Sequence, residues 1–266
     1  MNPDGFLADI LDEPATLARV LDRADVARLR AEIARARLVV LTGMGSSRFA
    51  ALTAAARLRA AGIAAVVEYA STDVPTAPAP DVLAIGISAT GNSAETVAAL
   101  ALHHGTSKTI AITNADDGGK LGRVADLTVP LHAGTEQGGV ACKTFQATLA
   151  VLLLAAGVEA AALAPAADAT ETGDWSHVDV YLNKYPNYTA LLFPGSRYDA
   201  EAIDWLTQRA SNVITVGRPA PGLTALQHIP YNNADDDLVA ALVDVTVAEL
   251  AAATWWRRRL DADQMP

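Results

Sequence analysis

The chain of 266 residues has a single cysteine, Cys142, and only five histidines. One thiol can form neither an intrachain disulfide nor a thiolate cage for a metal ion. The five histidines do not fall into HxH or HExxH spacing, so we expect no metal site. A lone cysteine is also typical of a reducing compartment, and we therefore expect a cytoplasmic protein.

Positive charge and long apolar runs are scarce as well. Lys and Arg number 20 against 30 Asp and Glu, which gives a formal net charge of −10. A nucleic-acid binder neutralises phosphates with excess cations, so this balance disfavours such a partner. The most apolar run, 147–158, stops at Glu159 and is shorter than the roughly 20 residues that a membrane span needs. We expect no nucleic-acid partner and no membrane, and we interpret this run as a buried core helix.

Short apolar runs alternate with helical patterns along the first half of the chain. The apolar runs are 38–42, 64–69, 82–87, 109–113 and 127–131. The helical patterns are 48–61, 94–103 and 139–156, after helical spacing over 14–37 that predicts two helices. Buried strands that alternate with helices predict a parallel sheet covered on both faces, an α/β fold with three α-β-α layers. We expect N-terminal helices over 1–36 and the α/β domain over 37–158.

The second half repeats this pattern in reduced form. Residues 159–174 are rich in Ala, Pro, Thr and Asp and are predicted to be a linker. Beyond it, apolar strands are expected at 190–193, 213–216 and 226–230, with helices at 199–209 and 236–257. An internal duplication is the economical interpretation, with a second, smaller subdomain over 175–260.

Two turns rich in hydroxyl groups connect a strand to a helix. The first is Gly-Met-Gly-Ser-Ser at 43–47, and the second is Ser-Ala-Thr-Gly-Asn-Ser at 88–93. Ligands of open parallel sheets bind beyond the carboxyl ends of the strands, where helix N-termini present free N–H groups. Neither turn has the lysine of a P-loop, so nucleotide hydrolysis is disfavoured. Each turn alone fits an ordinary helix cap, but two of them favour a site for a phosphate monoester.

A dinucleotide site is the alternative for the first turn. Gly43 and Gly45 begin a GxGxxG pattern, and Glu68 ends the next strand, where an acid that binds ribose would lie. Arg48 replaces the third glycine of that pattern. A bulky residue at the position of closest packing disfavours this alternative.

Four segments resemble the SIS (sugar isomerase) phosphosugar-binding family, in particular its double-SIS type, the isomerase module of glucosamine-6-phosphate synthase. Asp-Ile-Leu-Asp-Glu-Pro at 9–14 is similar to the family opening EI-x-EQP. Residues 42–47 and 88–93 resemble the family turns CGTS and SQSGET. Ala-Gly-Thr-Glu-Gln-Gly at 133–138, continuing to Lys143 and Phe145, resembles AGxExGVAsTKxF. The resemblance covers about residues 8–157.

The resemblance implies a flavodoxin-like SIS domain, followed by a smaller, degenerate SIS-like half. It also implies a cofactor-independent protein that binds a sugar phosphate, and a homodimer with sites near the subunit interface. The residues that would hold the phosphate through hydroxyl groups are Ser47, Ser88, Thr90 and Ser93. Backbone donors would come from Gly45, Ser46 and Ala89.

Isomerisation of an aldose phosphate through an enediol needs a base near the carbon-bound proton and a group that polarises or moves oxygen. The candidates in the first half are Glu136, Lys143 and His132. Glu136 fits equally a cap on the following helix, and Lys143 fits a structural ion pair.

The sequence departs from the family at the sugar end of the site. The family glutamine is Ala89 here, the acidic position is Asn92, and a serine is replaced by Ala141. The second half lacks the glutamate-rich helix and the KHGP-type segment that supply catalytic groups in double-SIS isomerases. We expect an isomerase, or a deglycase-type relative, that acts on a hexose or amino-hexose phosphate. A non-catalytic sugar-phosphate sensor remains the alternative.

Overall fold

The computed structural model describes residues 2–173, 175, 189–196, 199–208, 212–225 and 227–263. The chain divides into two compact units. The five-stranded unit comprises 15–136 and 141–160, and the three-stranded unit comprises 1–14, 137–140 and 161–266. The division does not follow the chain in two simple halves, because the first helix belongs to the same unit as the C-terminal residues.

A parallel sheet of five strands forms the centre of the five-stranded unit, with strand order β2-β1-β3-β4-β5. The strands are β1 Leu38–Gly43, β2 Ala65–Tyr69, β3 Val82–Ser88, β4 Lys108–Thr113 and β5 Leu127–Pro130. Every residue of β3 is buried, which explains why its sequence is a continuous apolar run rather than an alternating one. This strand order is flavodoxin-like and places the switch in winding direction between β1 and β3, as predicted.

Six helices of the described residues accompany this sheet. They are α2 Glu13–Arg23, α3 Ala27–Arg35, α4 Gly45–Ala60, α5 Ala94–His103, α6 Gly119–Arg123 and α7 Cys142–Ala155. Helix α4 buries a face of small residues that includes Ala50, Ala51 and Ala54. Helix α7 is buried almost throughout, which confirms the prediction of a core helix there. Arg30 of α3 donates hydrogen bonds to the carbonyls of Leu154, at 2.7 Å, and Val158, at 3.1 Å, and so satisfies C-terminal acceptors of α7.

Two helix starts differ from the prediction. Helix α4 begins at Gly45, three residues before the predicted start near residue 48. Gly45 adopts φ +51°, an angle that glycine allows at the junction of strand and helix. Helix α7 begins at Cys142 rather than at Gly139, where φ is +75° and a right-handed helix is excluded.

The three-stranded unit contains a second parallel sheet, in the order β6-β7-β8. Its strands are β6 Thr189–Leu192, β7 Asn212–Val216 and β8 Gln227–Ile229. Its helices are α1 Pro3–Leu11, α8 Ala160–Thr172, α9 Asp199–Gln208 and α10 Asp237–Asp263. The predicted strands and helices of this half are all present. Their ends differ from the prediction by at most one residue, except that the last helix ends at Asp263 rather than at residue 257. Residues 209 and 226, at two predicted ends, lie outside the described residues.

The predicted linker over 159–174 is wrong, because most of it forms α8. The helix buries Leu163, Ala166 and Ala169 despite Pro165 within it. Alanine has the highest helix propensity, and a face of small apolar residues that packs against the unit outweighs the cost of the proline. The composition alone resembled that of a linker.

Helix α10 is the one helix in the described part of the chain with the length and apolar composition of a membrane span, over Asp237–Leu260. Half of the residues in its most apolar window are buried within the protein. A core helix shares these properties, so this single helix is weak evidence for a membrane span.

Helix α1 is tied to a short segment of its own unit through a buried carboxylate. Asp9, which is fully buried, accepts hydrogen bonds from the amides of Gln137, at 2.6 Å, and Gly138, at 2.7 Å. A Cβ atom on Gly138 would lie 2.3 Å from the Cα of Phe6, so only glycine fits there. Two of the segments that resemble the SIS family, 9–14 and 133–138, are therefore connected by hydrogen bonds.

Candidate functional site

The two hydroxyl-rich turns leave adjacent strands at the carboxyl edge of the five-stranded sheet. Gly43 at the end of β1 lies opposite Ile87 of β3 in the parallel register. Helix α4 starts within the first turn, at Gly45, and has no side-chain cap. The amides of its first turn therefore have no partner within the helix and face the carboxyl edge.

The second turn is held rigidly. The Gly91 amide donates to the carbonyl of Ser88 at 3.1 Å, and the Gly91 carbonyl accepts from the Leu121 amide at 2.8 Å. Gly91 has φ +66°, and a Cβ atom there would lie 2.6 Å from the Gly118 oxygen. Glycine is thus required both for the backbone angle and for the close contact with the segment that leads into α6.

Two predicted phosphate ligands of this turn also make local hydrogen bonds. Ser93 Oγ accepts from the Thr96 amide at 3.4 Å as the N-cap of α5, and it donates to Glu95 Oε2 at 3.0 Å. Thr90 Oγ1 accepts from the Asn92 amide at 3.2 Å. Hydrogen bonds from its own amide and from Ser93 lower the pKa of Glu95. The ordinary capping role of Ser93 is therefore present, and an ionised carboxylate lies beside it.

A cleft of about 580 Å³ opens over the carboxyl ends of β3, β4 and β5. Five segments of the five-stranded unit line it. They are Arg19 and Arg23 of α2, Ala89 and Thr90 after β3, residues 114–116 after β4, His132 and residues 134–136 after β5, and Thr144 of α7.

Hydrogen bonds from Asn114 and Arg19 fix the loop after β5, which lines this cleft. Asn114 donates through Nδ2 to the Gly134 carbonyl at 2.6 Å and accepts through Oδ1 from the Ala133 amide at 2.9 Å. Arg19 donates to the carbonyls of His132, at 3.0 Å, and Ala133, at 3.3 Å. His132 has φ +56°, which is uncommon for a residue other than glycine and is typical of functional loops held by their surroundings.

Glu136 is both a wall of the cleft and a helix cap. Its Oε1 accepts from the Thr144 amide at 2.7 Å, and its Oε2 accepts from Cys142 Sγ at 3.7 Å. A carboxylate at the N-terminus of α7 is stabilised by the helix dipole. Lys143 is only 3% exposed, and its Nζ donates to the Thr135 carbonyl at 2.9 Å, so it supports the loop from behind the cleft.

The cleft brings together four of the residues that the sequence predicted, namely Ala89, Thr90, His132 and Glu136. The lining of this cleft does not include Gly45, Ser46, Ser47, Ser88, Ser93 or Lys143. The other eight lining residues were not among the predicted site residues, and four of these have charged or amide side chains, namely Arg19, Arg23, Asn114 and Asp116. Asn114 and Asp116 carried a usable signal, because they are polar and follow the end of β4.

The residues of the dinucleotide alternative have other partners. Glu68 Oε1 accepts from the Thr76 amide at 3.0 Å and also from the Thr76 hydroxyl. The Arg48 guanidinium lies 3.8 Å from the ring centre of Tyr69, a cation–π contact. Glu68 and Arg48 thus stabilise the edge of the sheet at β2.

The fold and the two hydroxyl-rich turns indicate the class to which the protein belongs. Residues 32–157 match the family model of the SIS domain, so the chain contains a SIS domain and the resemblance predicted from its sequence is confirmed. The match falls within a few residues of the predicted domain, 37–158.

Sequence similarity to a curated relative extends over most of the chain. Glutamine–fructose-6-phosphate aminotransferase (isomerizing) of Aeropyrum pernix is 30% identical over 233 residues, which are 85% of this chain and 37% of that protein. The chain spans well under half the length of the curated relatives that it matches.

Solved structures share the fold. The C-terminal domain of glucosamine-fructose-6-phosphate aminotransferase from Francisella tularensis superposes with a TM-score of 0.71 at 13% identity, over 94% of this chain and 96% of that one. Tagatose-6-phosphate ketose/aldose isomerase from Escherichia coli gives a TM-score of 0.69 at 16% identity, over 94% and 92%. The α/β fold with its parallel sheets is therefore confirmed over nearly the whole chain.

Proposed function

We propose that the chain binds a sugar phosphate in the cleft and interconverts aldose and ketose forms of a hexose or amino-hexose phosphate, or acts as a deglycase-type relative, without a cofactor. One observation carries this proposal. The second hydroxyl-rich turn and the titratable side chains of His132 and Glu136 line the same cleft at the carboxyl edge of the sheet. The names of the relatives, which are enzymes of sugar phosphates, support it.

The phosphate would bind at the switch point between β1 and β3, next to the side of the cleft that Ala89 and Thr90 line. Ser88 lies at the carboxyl end of β3 and is 5% exposed, and Thr90 lies in the lining of the cleft. Ser47 and the amides of Gly45, Ser46 and Ala89 would add donors from both turns. The preference of helix N-termini for anions supports this placement.

His132 is the best placed group for proton transfer. It lines the cleft, is partly exposed and belongs to a clamped loop. Isomerisation moves one proton between neighbouring carbons and one between their oxygens, with no oxidant or reductant, and an imidazole both accepts and donates protons near neutral pH. Glu136 would act beside it on the oxygens. Lys143 would hold the loop rather than touch the sugar.

A sensor that binds without turnover is the second candidate. Two of the three candidate catalytic residues have structural hydrogen bonds, which favours this alternative. Glu136 caps α7, and Lys143 is buried against the Thr135 carbonyl.

We further propose a cytoplasmic homodimer with sites near the subunit interface, and a degenerate SIS-like half in the three-stranded unit. Large apolar side chains exposed on α4 and on the edge strand β2 support the dimer. They are Phe49, Leu52, Val66 and Tyr69.

The test combines binding and turnover. Isothermal titration with hexose 6-phosphates and hexosamine 6-phosphates should give binding to the wild-type chain. Ser88→Ala should weaken it about tenfold or more, because a hydrogen bond to a charged group contributes roughly 1.5–3 kcal/mol. Ser71→Ala, at an exposed serine that belongs neither to the two hydroxyl-rich turns nor to the lining of the cleft, is the matched control and should bind like the wild type.

Three other results would decide between the alternatives. Conversion of a bound aldose phosphate into its ketose supports the isomerase, and tight binding without conversion supports the sensor. Binding of NAD alone, or an affinity for sugar phosphates that Ser88→Ala leaves unchanged, would overturn the assignment of the site.

A further inference from the structure

The cleft contains two arginines that the proposed phosphate turns do not account for. Arg19 and Arg23 lie four residues apart on α2, one helical turn, and both line the cleft. The chain as a whole carries a net charge of −10. A positively charged side chain in a cleft of so acidic a protein suits a ligand with negative charge.

Arg19 is oriented by its neighbours. It donates to the carbonyls of His132 and Ala133 and, at 2.8 Å, to Thr16 Oγ1. Arginine stays protonated at every physiological pH. Arg19 therefore places a fixed positive charge beside the loop that presents His132.

Arg23 is the more available of the two. Its side chain is exposed at the next turn of α2, and it forms no ion pair within the part of the chain that the structure describes. A guanidinium with this freedom can bind a carboxylate or a phosphate through two parallel hydrogen bonds.

Two acidic side chains share the cleft, and neither neutralises Arg23 in the structure. The Glu136 carboxylate is committed to the amide of Thr144 at 2.7 Å. Asp116 is exposed after β4. Arg23 thus keeps a positive charge on the α2 side of the cleft, on a different element from the turn after β3 that would take the sugar phosphate.

The size of the cleft leaves room for a second group. Its 580 Å³ lie well within the range of about 300–1,000 Å³ for ligand pockets. A hexose monophosphate has only 16 heavy atoms and is smaller than a typical drug, so a ligand with a further substituent fits this volume.

We propose that the substrate is a phosphosugar with a second anionic group, a carboxylate or a second phosphate, and that Arg23 binds this group beside the fixed charge of Arg19. This inference rests on the proposed function, since it assumes that the first phosphate lies at the turn after β3. It makes Arg23 a residue that determines specificity rather than one that performs the chemistry.

Three probes test the inference by isothermal titration at a fixed salt concentration. Fructose 6-phosphate has one anionic group, 6-phosphogluconate adds a carboxylate, and fructose 1,6-bisphosphate adds a phosphate. We expect one of the two doubly anionic probes to bind the wild-type chain at least tenfold more tightly than fructose 6-phosphate, and the identity of that probe decides between the carboxylate and the phosphate. Arg23→Gln should remove this gain and leave the affinity for fructose 6-phosphate within about twofold.

The control is Arg28→Gln, which changes the net charge equally at an exposed arginine of α3 outside the cleft lining. An equal loss in this control would assign the effect to long-range charge and overturn the inference. Equal weakening of all three probes by Arg23→Gln would place the first phosphate at Arg23 and also overturn it. Equal affinity of the wild type for all three probes would refute the inference alone, whereas no binding of any probe would refute the proposed function as well.

Discussion

Glu136 shows how one residue of a motif can serve two purposes. Its carboxylate satisfies an amide in the first turn of α7 while its side chain also lines the cleft. The sequence favours neither the cap nor the acid–base role, and the structure shows the cap and the position of the side chain in the lining of the cleft. Only a substitution that separates hydrogen bonding from charge can tell them apart.

We predict that Glu136→Gln retains most of the stability and Glu136→Ala does not. The amide oxygen of Gln can still accept from the Thr144 amide, whereas Ala loses the cap at a cost of about 0.5–2 kcal/mol. Urea unfolding of the two variants measures this difference. If Glu136 also takes part in proton transfer, Glu136→Gln loses turnover while it keeps the wild-type midpoint. Equal stability of Glu136→Gln and Glu136→Ala would show that the cap contributes nothing.

A second prediction concerns Asp244 in the three-stranded unit. Burial raises the pKa of Asp244 from 3.8 to about 6, although the Tyr231 hydroxyl donates to it at 2.6 Å and Arg218 lies near. The folded state therefore holds this proton more tightly than the unfolded state. Between about pH 4 and pH 6 the free energy of unfolding should fall as the pH rises, and the loss should persist at neutral pH.

Asp244→Asn should remove this loss because it keeps an acceptor for Tyr231 without the charge. A shift of this size corresponds to about 1–3 kcal/mol, so the variant should be more stable than the wild type by that order at pH 7.5 and equal to it near pH 4. Urea unfolding at both pH values checks this result. Asp73→Asn, at an exposed aspartate, should show no such difference, and a variant of Asp244 that gains nothing at pH 7.5 would contradict the prediction.

The residues of the site were only partly predictable from the sequence. Thr90 and His132 follow predicted strands and were placed correctly at the carboxyl edge. Arg19 and Arg23 could not be assigned to the site because an amphipathic pattern fixes which side of a helix is apolar, but not which cleft its polar side borders. That information depends on how α2 packs against the sheet.

At the scale of elements, strands and helices were predicted where their period was clear. The helix over Ala94–His103 matches the prediction residue for residue, since a serine cap and a histidine mark its ends. Helix α6, with only five residues, was missed because such a segment is too short to show a helical period. Helix α8 was predicted as a linker because its composition is typical of one, whereas its buried alanine face stabilises a helix.

The turn after β3 gives a prediction at this scale. Gly91→Ala should destabilise the chain far more than Gly62→Ala, although both glycines have positive φ, +66° and +81°. At Gly62 a Cβ atom meets nothing within 4 Å, whereas at Gly91 it would lie 2.6 Å from the Gly118 oxygen. Gly62→Ala should cost about 1–2 kcal/mol from the backbone angle alone, and Gly91→Ala should add about 1–3 kcal/mol of overpacking.

Thermal or urea unfolding of both variants measures the difference, and titration with a sugar phosphate provides an independent readout. Gly91→Ala should also weaken binding, because it displaces the turn that carries Ser88 and Thr90, whereas Gly62→Ala should not. Equal destabilisation by the two substitutions would show that the contact between Gly91 and Gly118 is not maintained in solution.

At the scale of the whole molecule, the alternation of strands and helices was sufficient to predict two parallel sheets and their order of size. It was not sufficient to predict how the chain is shared between the two units. Residues 1–14 and 137–140 belong to the unit of the C-terminal residues. The Phe6 ring lies 6.1 Å from the ring of Trp256, and Asp9 accepts a hydrogen bond from the amide of Gly138. Such a pairing joins residues more than 120 positions apart and leaves no periodic trace in the sequence.

The last prediction concerns assembly. Phe49 of α4 is 58% exposed and lies four residues beyond Gly45 of the first turn, and large exposed apolar side chains are typical of surfaces that bind another protein. We expect light scattering after gel filtration to give twice the 27.6 kDa mass of one chain, and Phe49→Glu to shift the population to single chains. Leu11→Glu, at a leucine of α1 that is 63% exposed, is the matched control and should remain dimeric. If the wild type is monomeric, the cleft must bind its ligand with the residues of one chain alone. If instead Phe49→Glu stays dimeric while Leu11→Glu dissociates, the interface lies on the three-stranded unit rather than beside the proposed phosphate turn.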